Sequence, residues 1–312
     1  MQRLPHTDLE VYEICLGGNV FGWTADRADS FAVLDAYLDA GGNFVDSADS
    51  YSAFAPGNSG GESESMLGEW LAARPGARER VVIATKVGKH PEFKGLAPAN
   101  IRAAADASLG RLGTDRIDLY YAHQDDPDVP LAEALGAFAE LIEAGKVRHV
   151  AASNYGAPRL AEALRVAAAE GLPRYVALQP HYSLVERGEF EGALQDLCAA
   201  EDLAVFPYWG LARGFLTGKY RPDGATVDSP RAGGASQYLD ARGIAVLAAL
   251  DEIAATHSVA VAAVALAWLR SRPTVLAPIA SARNTEQLGP LIEAATLELS
   301  PAELSALDAA SA

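Results

Sequence analysis

Cysteine is nearly absent from the chain: Cys15 and Cys198 are the only two among 312 residues, too few for a disulfide framework or a cysteine-based zinc site. Both read as small buried hydrophobes. Long apolar runs are missing as well. The longest, Val259 to Leu269, is about half of the roughly 20 residues needed to span a bilayer. Met1 to Leu16 holds polar residues throughout, with no continuous apolar segment of the signal-peptide kind. A soluble, cytoplasmic protein without a membrane partner is expected. Positive charge is scarce, with 25 Lys and Arg against 41 Asp and Glu and a formal net charge of −16. Phosphate backbones and anionic lipids repel so acidic a chain unless it carries a basic patch, and none is visible. Nucleic acid is therefore not an expected partner, and an anionic ligand would need a few local cations. The six histidines contain no HxH pair, so no metal site is expected and a metal-dependent hydrolase is disfavoured.

What is present is ample core material, since half the residues are hydrophobic and 21% are charged. The length fits two ordinary domains or one α/β barrel. After a polar opening that can form a hairpin around His6, Thr7 and Asp8, short β-rich runs alternate with longer Ala- and Leu-rich stretches. Strands are expected near Glu13–Leu16, Asn43–Asp46, Val81–Lys86, Ile117–His123, Val147–Ser153, Tyr175–Gln179, Ala204–Tyr208 and Val275–Ile279. Helical spacing lies between them, cleanest at Leu131, Ala134, Leu135, Phe138, Leu141 and Ile142. Pro98 and Pro130 mark helix starts, and Gly113 and Gly145 mark helix ends.

Near-continuous apolar strands alternating with helices belong to a parallel sheet covered on both faces, and eight such units favour closure. The expectation is a single domain, residues 1–312, folded as a (β/α)8 TIM barrel with an N-terminal β-hairpin. A doubly wound open sheet would carry a GxGxxG turn after an early strand; the stretch Leu16-Gly17-Gly18-Asn19-Val20-Phe21-Gly22 lacks that spacing. Two segments look like insertions, Ser52–Gly61 and Trp209–Leu239. Both follow strands, so in a barrel they stand over the carboxyl-end face.

The strands finish in groups that can do chemistry: Asp46, Lys86, His123, Ser153 with Asn154, Gln179 and Tyr208. Singly, Asp46 could cap a loop, Lys86 could be a solvated strand end and His123 a satisfied core histidine. Together, an acid, a base and an imidazole on neighbouring strands make a costly arrangement to assemble without use.

The residues around these points resemble the aldo-keto reductase family. Asn43-Phe44-Val45-Asp46-Ser47-Ala48-Asp49-Ser50-Tyr51 is similar to its signature of an Asp and a Tyr five apart. Ile83-Ala84-Thr85-Lys86 resembles its lysine strand and Ile117-Asp118-Leu119-Tyr120-Tyr121-Ala122-His123 its histidine strand. The pattern continues through Gly145-Lys146-Val147-Arg148, Ala152-Ser153-Asn154-Tyr155, Leu178-Gln179-Pro180 and the segment Leu211 to Tyr220, in the right order.

The resemblance implies NADPH-dependent reduction of a small carbonyl compound, an aldehyde, ketone or sugar-like molecule, by a monomeric enzyme. It implies Tyr51 as proton donor. A phenol's ordinary pKa of about 10 is high for that task, and the Lys86 ammonium is expected to bring it down. Asp46 would hold Lys86, and His123 would orient the substrate carbonyl. For the cofactor, it implies Ser153, Asn154 and Gln179 at the carboxamide and Tyr208 on the nicotinamide face. Trp209, Gly210, Leu211, Arg213, Gly214 and Lys219 would lie along the pyrophosphate, with Gly18 and Asn19 also in contact. Ser281, Arg283 and Gln287 would hold the adenosine phosphate, Arg283 matching a 2′-phosphate. Two departures stand out. Trp209-Gly210 replaces the family's usual Ser-Pro, and Pro290-Leu291 replaces a Glu-Asn that grips adenine, leaving more of that work to Gln287. Members of this fold also serve as cofactor-binding regulatory subunits that report redox state to a channel; such subunits often lack the histidine that His123 supplies here.

Overall fold

The computed structural model describes residues 1–222, 224 and 227–312. Strands β1 (Gln2–Arg3) and β2 (Glu10–Val11) pair antiparallel. Thr7 fastens their turn: its Oγ1 donates to the Leu4 carbonyl at 2.8 Å and accepts from the Leu9 N–H at 3.0 Å. The expected hairpin is therefore present.

Eight parallel strands follow: β3 (Cys15–Gly17), β4 (Phe44–Asp46), β5 (Val82–Val87), β6 (Ile117–Ala122), β7 (Val147–Ser153), β8 (Tyr175–Gln179), β9 (Ala204–Val205) and β10 (Ile279–Ala280). They lie in the order β10-β3-β4-β5-β6-β7-β8-β9. The seam between β9 and β10 is closed by the backbone. Val205 N–H donates to Thr274 O at 2.9 Å, Leu276 N–H to Val205 O at 3.0 Å and Ile279 N–H to Pro207 O at 2.8 Å. Both ladders here are shorter than the sequence suggested, because Pro207 and Pro278 supply no N–H to continue them.

Helices α1 (Arg27–Asp39), α2 (Glu62–Ala73), α3 (Pro98–Leu112), α4 (Leu131–Glu143), α5 (Ala157–Glu170) and α6 (Ala193–Ala200) follow β3 to β8 in turn. The segment after β9 holds a 3-10 stretch (Ala212–Thr217), α7 (Ala232–Ser236), α8 (Ala241–His257) and α9 (Val261–Arg270); α10 (Thr285–Thr296) and α11 (Pro301–Ala310) end the chain. In α4 the expected stripe Leu131, Ala134, Leu135, Phe138 and Leu141 is buried. Pro98 is at the first turn of α3 and Gly113 ends it at φ 61°. Pro130 stands one residue before α4, and Gly145 follows it at φ 72°. No single helix among the described residues is long and apolar enough to cross a membrane.

Period-2 alternation divides the core in two. Val45, Ile83, Tyr120, Val150, Leu178 and Val205 face the helices. Phe44, Ala84, Leu119, Tyr121, Ala151, Ala177 and Phe206 fill the barrel interior, together with Leu4, Leu9 and Val11 of the hairpin. Large and small residues are interleaved, as a packed interior requires, and the Phe44 and Phe206 rings meet edge to face at 4.9 Å. The hairpin thus plugs the end opposite the strands' carboxyl termini.

Near that plugged end, Asp118 joins three strands. Its Oδ2 accepts from the Ile83 N–H and lies against the Arg78 guanidinium, both at 2.9 Å, and its Oδ1 accepts from Arg148 at 3.0 Å. Asp118 is 1% exposed, so removing it strands partly buried cations. Asp118→Ala should cost about 3 kcal/mol of unfolding free energy in urea titrations, whereas a loss under about 1 kcal/mol would mark the cluster as dispensable.

Candidate active site

The alternation that fills the barrel also builds its rim. Two residues beyond Phe44, Ala84, Tyr121, Ala151, Ala177 and Phe206 in the interior come Asp46, Lys86, His123, Ser153, Gln179 and Tyr208. With successive side chains on opposite faces of a strand, these six form the uppermost inward-facing layer. Barrel interiors therefore pass directly from packing to chemistry at one level.

Asp46 and Lys86 occupy its centre, with side chains 1% and 0% exposed. The Lys86 ammonium donates to both Asp46 carboxylate oxygens at 2.7 Å, to the Ser47 carbonyl at 2.6 Å and to the Tyr51 hydroxyl at 2.8 Å. Tyr51 in turn donates to Asp46 Oδ2 at 2.8 Å, and Gln179 Nε2 donates to Asp46 Oδ1 at 3.0 Å. The His123 ring lies edge-on to Tyr51, centroids 6.2 Å apart, and its Nδ1 is 3.4 Å from Ser50 Oγ. The four groups singled out from the sequence are therefore brought together.

Their electrostatics differ from the expectation in one respect. Burial, and after it the Asp46 carboxylate, push the Tyr51 phenol well above its ordinary value, so the phenol is kept as the acid, not brought down. Asp46 acts first through its charge and then by taking the phenolic hydrogen bond itself. Burial holds Lys86 below the usual lysine value while Asp46 opposes the shift. Burial, then the charges of Lys86 and Lys89, hold the His123 imidazole well below its usual range; it is neutral at pH 7.

A cleft of about 580 Å³ opens above this layer. Tyr51 and His123 line it; Asp46 and Lys86 lie behind them. Asn19, Ser153, Asn154, Gln179, Tyr208, Trp209, Gly210, Leu211, Arg213, Gly214, Lys219, Ser281, Arg283 and Gln287 line it as well. Gly18 does not. Its N–H donates to the Asp46 carbonyl at 2.7 Å and its carbonyl accepts from Ser63 Oγ at 2.8 Å, so its polar atoms are spent inside the barrel wall; neighbouring Gly17 faces the cleft.

The polar groups are cross-linked. Asn154 Nδ2 donates to the His123 carbonyl at 2.8 Å, and its Oδ1 accepts from Tyr208 at 2.8 Å. Ser281 Oγ donates to Asn19 Oδ1 at 2.7 Å across β10 and β3. The turn after β9 runs through positive φ at Trp209 (54°), Ala212 (46°), Arg213 (59°) and Gly214 (95°), and it is closed on itself by the Ala212 N–H to Trp209 O at 2.7 Å and the Gly214 N–H to Leu211 O at 2.8 Å. Arg213 lies over the Trp209 ring at 4.0 Å. Pro290 and Leu291 also line the cleft, and Gln287 Oε1 accepts from the Arg283 N–H at 3.1 Å.

Two cleft cations escaped the sequence reading, Arg231 and Lys89. Arg231 has no acidic partner among the described residues, and burial together with Arg283 holds its guanidinium down. Burial, Arg283 and Arg231 likewise lower Lys219. These three cations disfavour one another's charge, and an anion placed among them would relieve that. The cue in sequence was a cation in a Ser-Pro-Arg turn of the long segment after β9.

A family model described as the Aldo/keto reductase family matches residues 13–312. Among curated proteins, the chain is 34% identical to "Protein tas" of Escherichia coli, over 98% of this chain and 96% of that protein. It is 32% identical to "Norsolorinic acid reductase stcV" of Emericella nidulans, over 96% of this chain and 78% of that protein. With "Uncharacterized oxidoreductase YrpG" of Bacillus subtilis the identity is 33%, over 95% and 91%.

Behind the rim, Asp49 is fully buried and neither of its carboxylate oxygens has a partner among the described residues. Beside it Glu64, also buried, accepts from Thr85 Oγ1 and from Arg111 Nε at 2.7 Å. Burial, then Glu64, push Asp49 up to about 8. An unfolded Asp titrates near about 4, so between those values the folded chain keeps a proton that the unfolded chain releases. This contribution to stability is complete below the unfolded value and is lost as pH rises through about 8. Asp49→Asn should therefore gain about 2 to 5 kcal/mol more at pH 9 than at pH 4. Thermal denaturation at the two values checks this; an equal gain at both would be the wrong sign of coupling.

Proposed function

The chain belongs to the aldo/keto reductase family, and on that premise we propose that this oxidoreductase reduces the carbonyl of a small aldehyde, ketone or sugar-like substrate with NADPH, Tyr51 being the proton donor. The whole chain, residues 1–312, would act as one domain, in the cytoplasm and as a monomer. The observation that carries this reading is the Tyr51 hydroxyl, held at 2.8 Å by both Lys86 and Asp46 at the wall of a cleft lined by cations.

The cleft suits a dinucleotide on this structure's own terms. Lys219, Arg231 and Arg283 supply charge for phosphates, and the backbone turn at Trp209–Gly214 borders the same cleft. Arg283 would take a 2′-phosphate, and Gln287 would meet the adenine side in place of the absent Glu-Asn pair. Ser153, Asn154 and Gln179 would hold the carboxamide against Tyr208. When bound, the reduced nicotinamide supplies the hydride that goes to the carbonyl carbon.

The chain's own residues handle the proton. Tyr51, kept in its acid form by burial and Asp46, would release a proton to the carbonyl oxygen. The Lys86 ammonium, 2.8 Å away, would stabilise the phenolate left behind, and Asp46 fixes that ammonium through both oxygens. The Ser50 contact at His123 Nδ1 leaves Nε2 for the carbonyl oxygen. A neutral imidazole positions that oxygen without competing for the proton.

Tyr51→Phe should lower turnover by about 10² to 10⁴ while the NADPH dissociation constant, read by nucleotide fluorescence, changes by less than about threefold; near-normal turnover would refute the assignment. Arg283→Ala should weaken NADPH by about tenfold more than NADH, and equal losses for both would place the 2′-phosphate elsewhere.

A further inference from the structure

Lys89 differs from the other cations of the cleft in position and in surroundings. Lys219, Arg231 and Arg283 belong to the segments after β9 and β10, where the phosphates would lie. Lys89 stands on the other side of the barrel mouth, three residues after Lys86 and just beyond β5. Its backbone is fixed: Gly88 and Lys89 bridge to Lys94, and the Gly95 N–H donates to Gly88 O at 3.0 Å. The next residue, His90, is buried, and its ring packs so closely on Gly60 that a Cβ there would come within 2.6 Å of it. A side chain that lines the cleft is thus mounted on an anchored backbone.

No carboxylate pairs with Lys89 among the described residues, whereas surface Lys146 finds Asp106 at 2.6 Å. Burial and the like charge of Lys86 hold the Lys89 ammonium down. Lys89 in turn acts on His123, the group placed to meet the carbonyl oxygen. In a chain of net charge −16, the long-range field turns anions away. An unpaired ammonium beside the reacting centre reverses that field locally. Arg231, over the Trp23 ring at 5.2 Å, approaches from the segment after β9; on the β5 side the single Lys89 ammonium matches a singly charged oxyanion better than a phosphate dianion.

We propose that the substrate carries a singly charged oxyanion, a carboxylate, near its carbonyl group, and that Lys89 is the residue that selects for it. The position of the carbonyl rests on the reductase reading above; the anion contact does not. With NADPH, kcat/KM for 4-carboxybenzaldehyde should exceed that for 4-formylbenzamide by about tenfold, equivalent to about 1.4 kcal/mol. Lys89→Met, which keeps the stem, should cut that ratio by about tenfold, and Lys89→Arg should largely preserve it. Calorimetric binding of 4-carbamoylbenzoate against terephthalamide to the protein with NADP⁺ reads the same preference without turnover. Lys89-dependent 4-carbamoylbenzoate binding supports the proposal even if no aldehyde is reduced, a result that would fall on the reductase reading alone. Equal binding of the two probes, a ratio unmoved in Lys89→Met, or a preference for 4-formylphenyl phosphate over the carboxylate would overturn it.

Discussion

The buried pair of Asp46 and Lys86 is the constraint around which the rim is arranged. Two charges withdrawn from water cost several kcal/mol each unless their remaining hydrogen-bonding capacity is met. Here it is met: the ammonium has four acceptor atoms, and the carboxylate receives from Lys86, Tyr51 and Gln179. The partners come from β4, the loop after it, β5 and β8, so satisfying the pair fixes the relative height of these strands as well as the seat of Tyr51. The pair is poor evidence of stability, since an apolar replacement could pack as well. What it provides is a phenol in one orientation with a cation at its oxygen.

That arrangement divides labour between burial and charge. Desolvation alone would neutralise a lysine and leave a phenol inert. With the carboxylate next to both, the lysine's loss of charge is opposed and the phenol's proton is retained. The imidazole, with cations on two sides and no carboxylate among its perturbing neighbours, is driven to the neutral form. Lys86, Tyr51 and His123 are thus each shifted by their own neighbours.

Much of this was legible in the sequence because period-2 alternation places Asp46, Lys86, His123, Ser153, Gln179 and Tyr208 in phase with apolar residues two positions earlier. β7 and β8 matched to the residue, since neither contains proline and both pair on each side. β9 and β10 did not, because Pro207 and Pro278 end ladders that hydrophobicity alone continues. Gly18 was misplaced for a different reason: a glycine beside a cleft can serve the ligand or the wall, and only the hydrogen bonds to Asp46 and Ser63 decide. Arg231 and Lys89 were missed because their importance lies in the absence of an acidic neighbour in space, which no local pattern records. The direction of the Tyr51 shift depended on burial and on the nearness of Asp46, neither of which a local pattern records.

The two prolines have a mechanical corollary. Where β9 meets β10, few amide links close the cylinder, and the cleft's walls from Tyr208 to Lys219 and from Ser281 to Gln287 rise from its two sides. A molecule spanning those walls would act as a clasp across this joint. Occupancy and structural integrity are then coupled by mass action, and amide protons along this joint report on both at once, exchanging slowly when the clasp is fastened and faster when it is released.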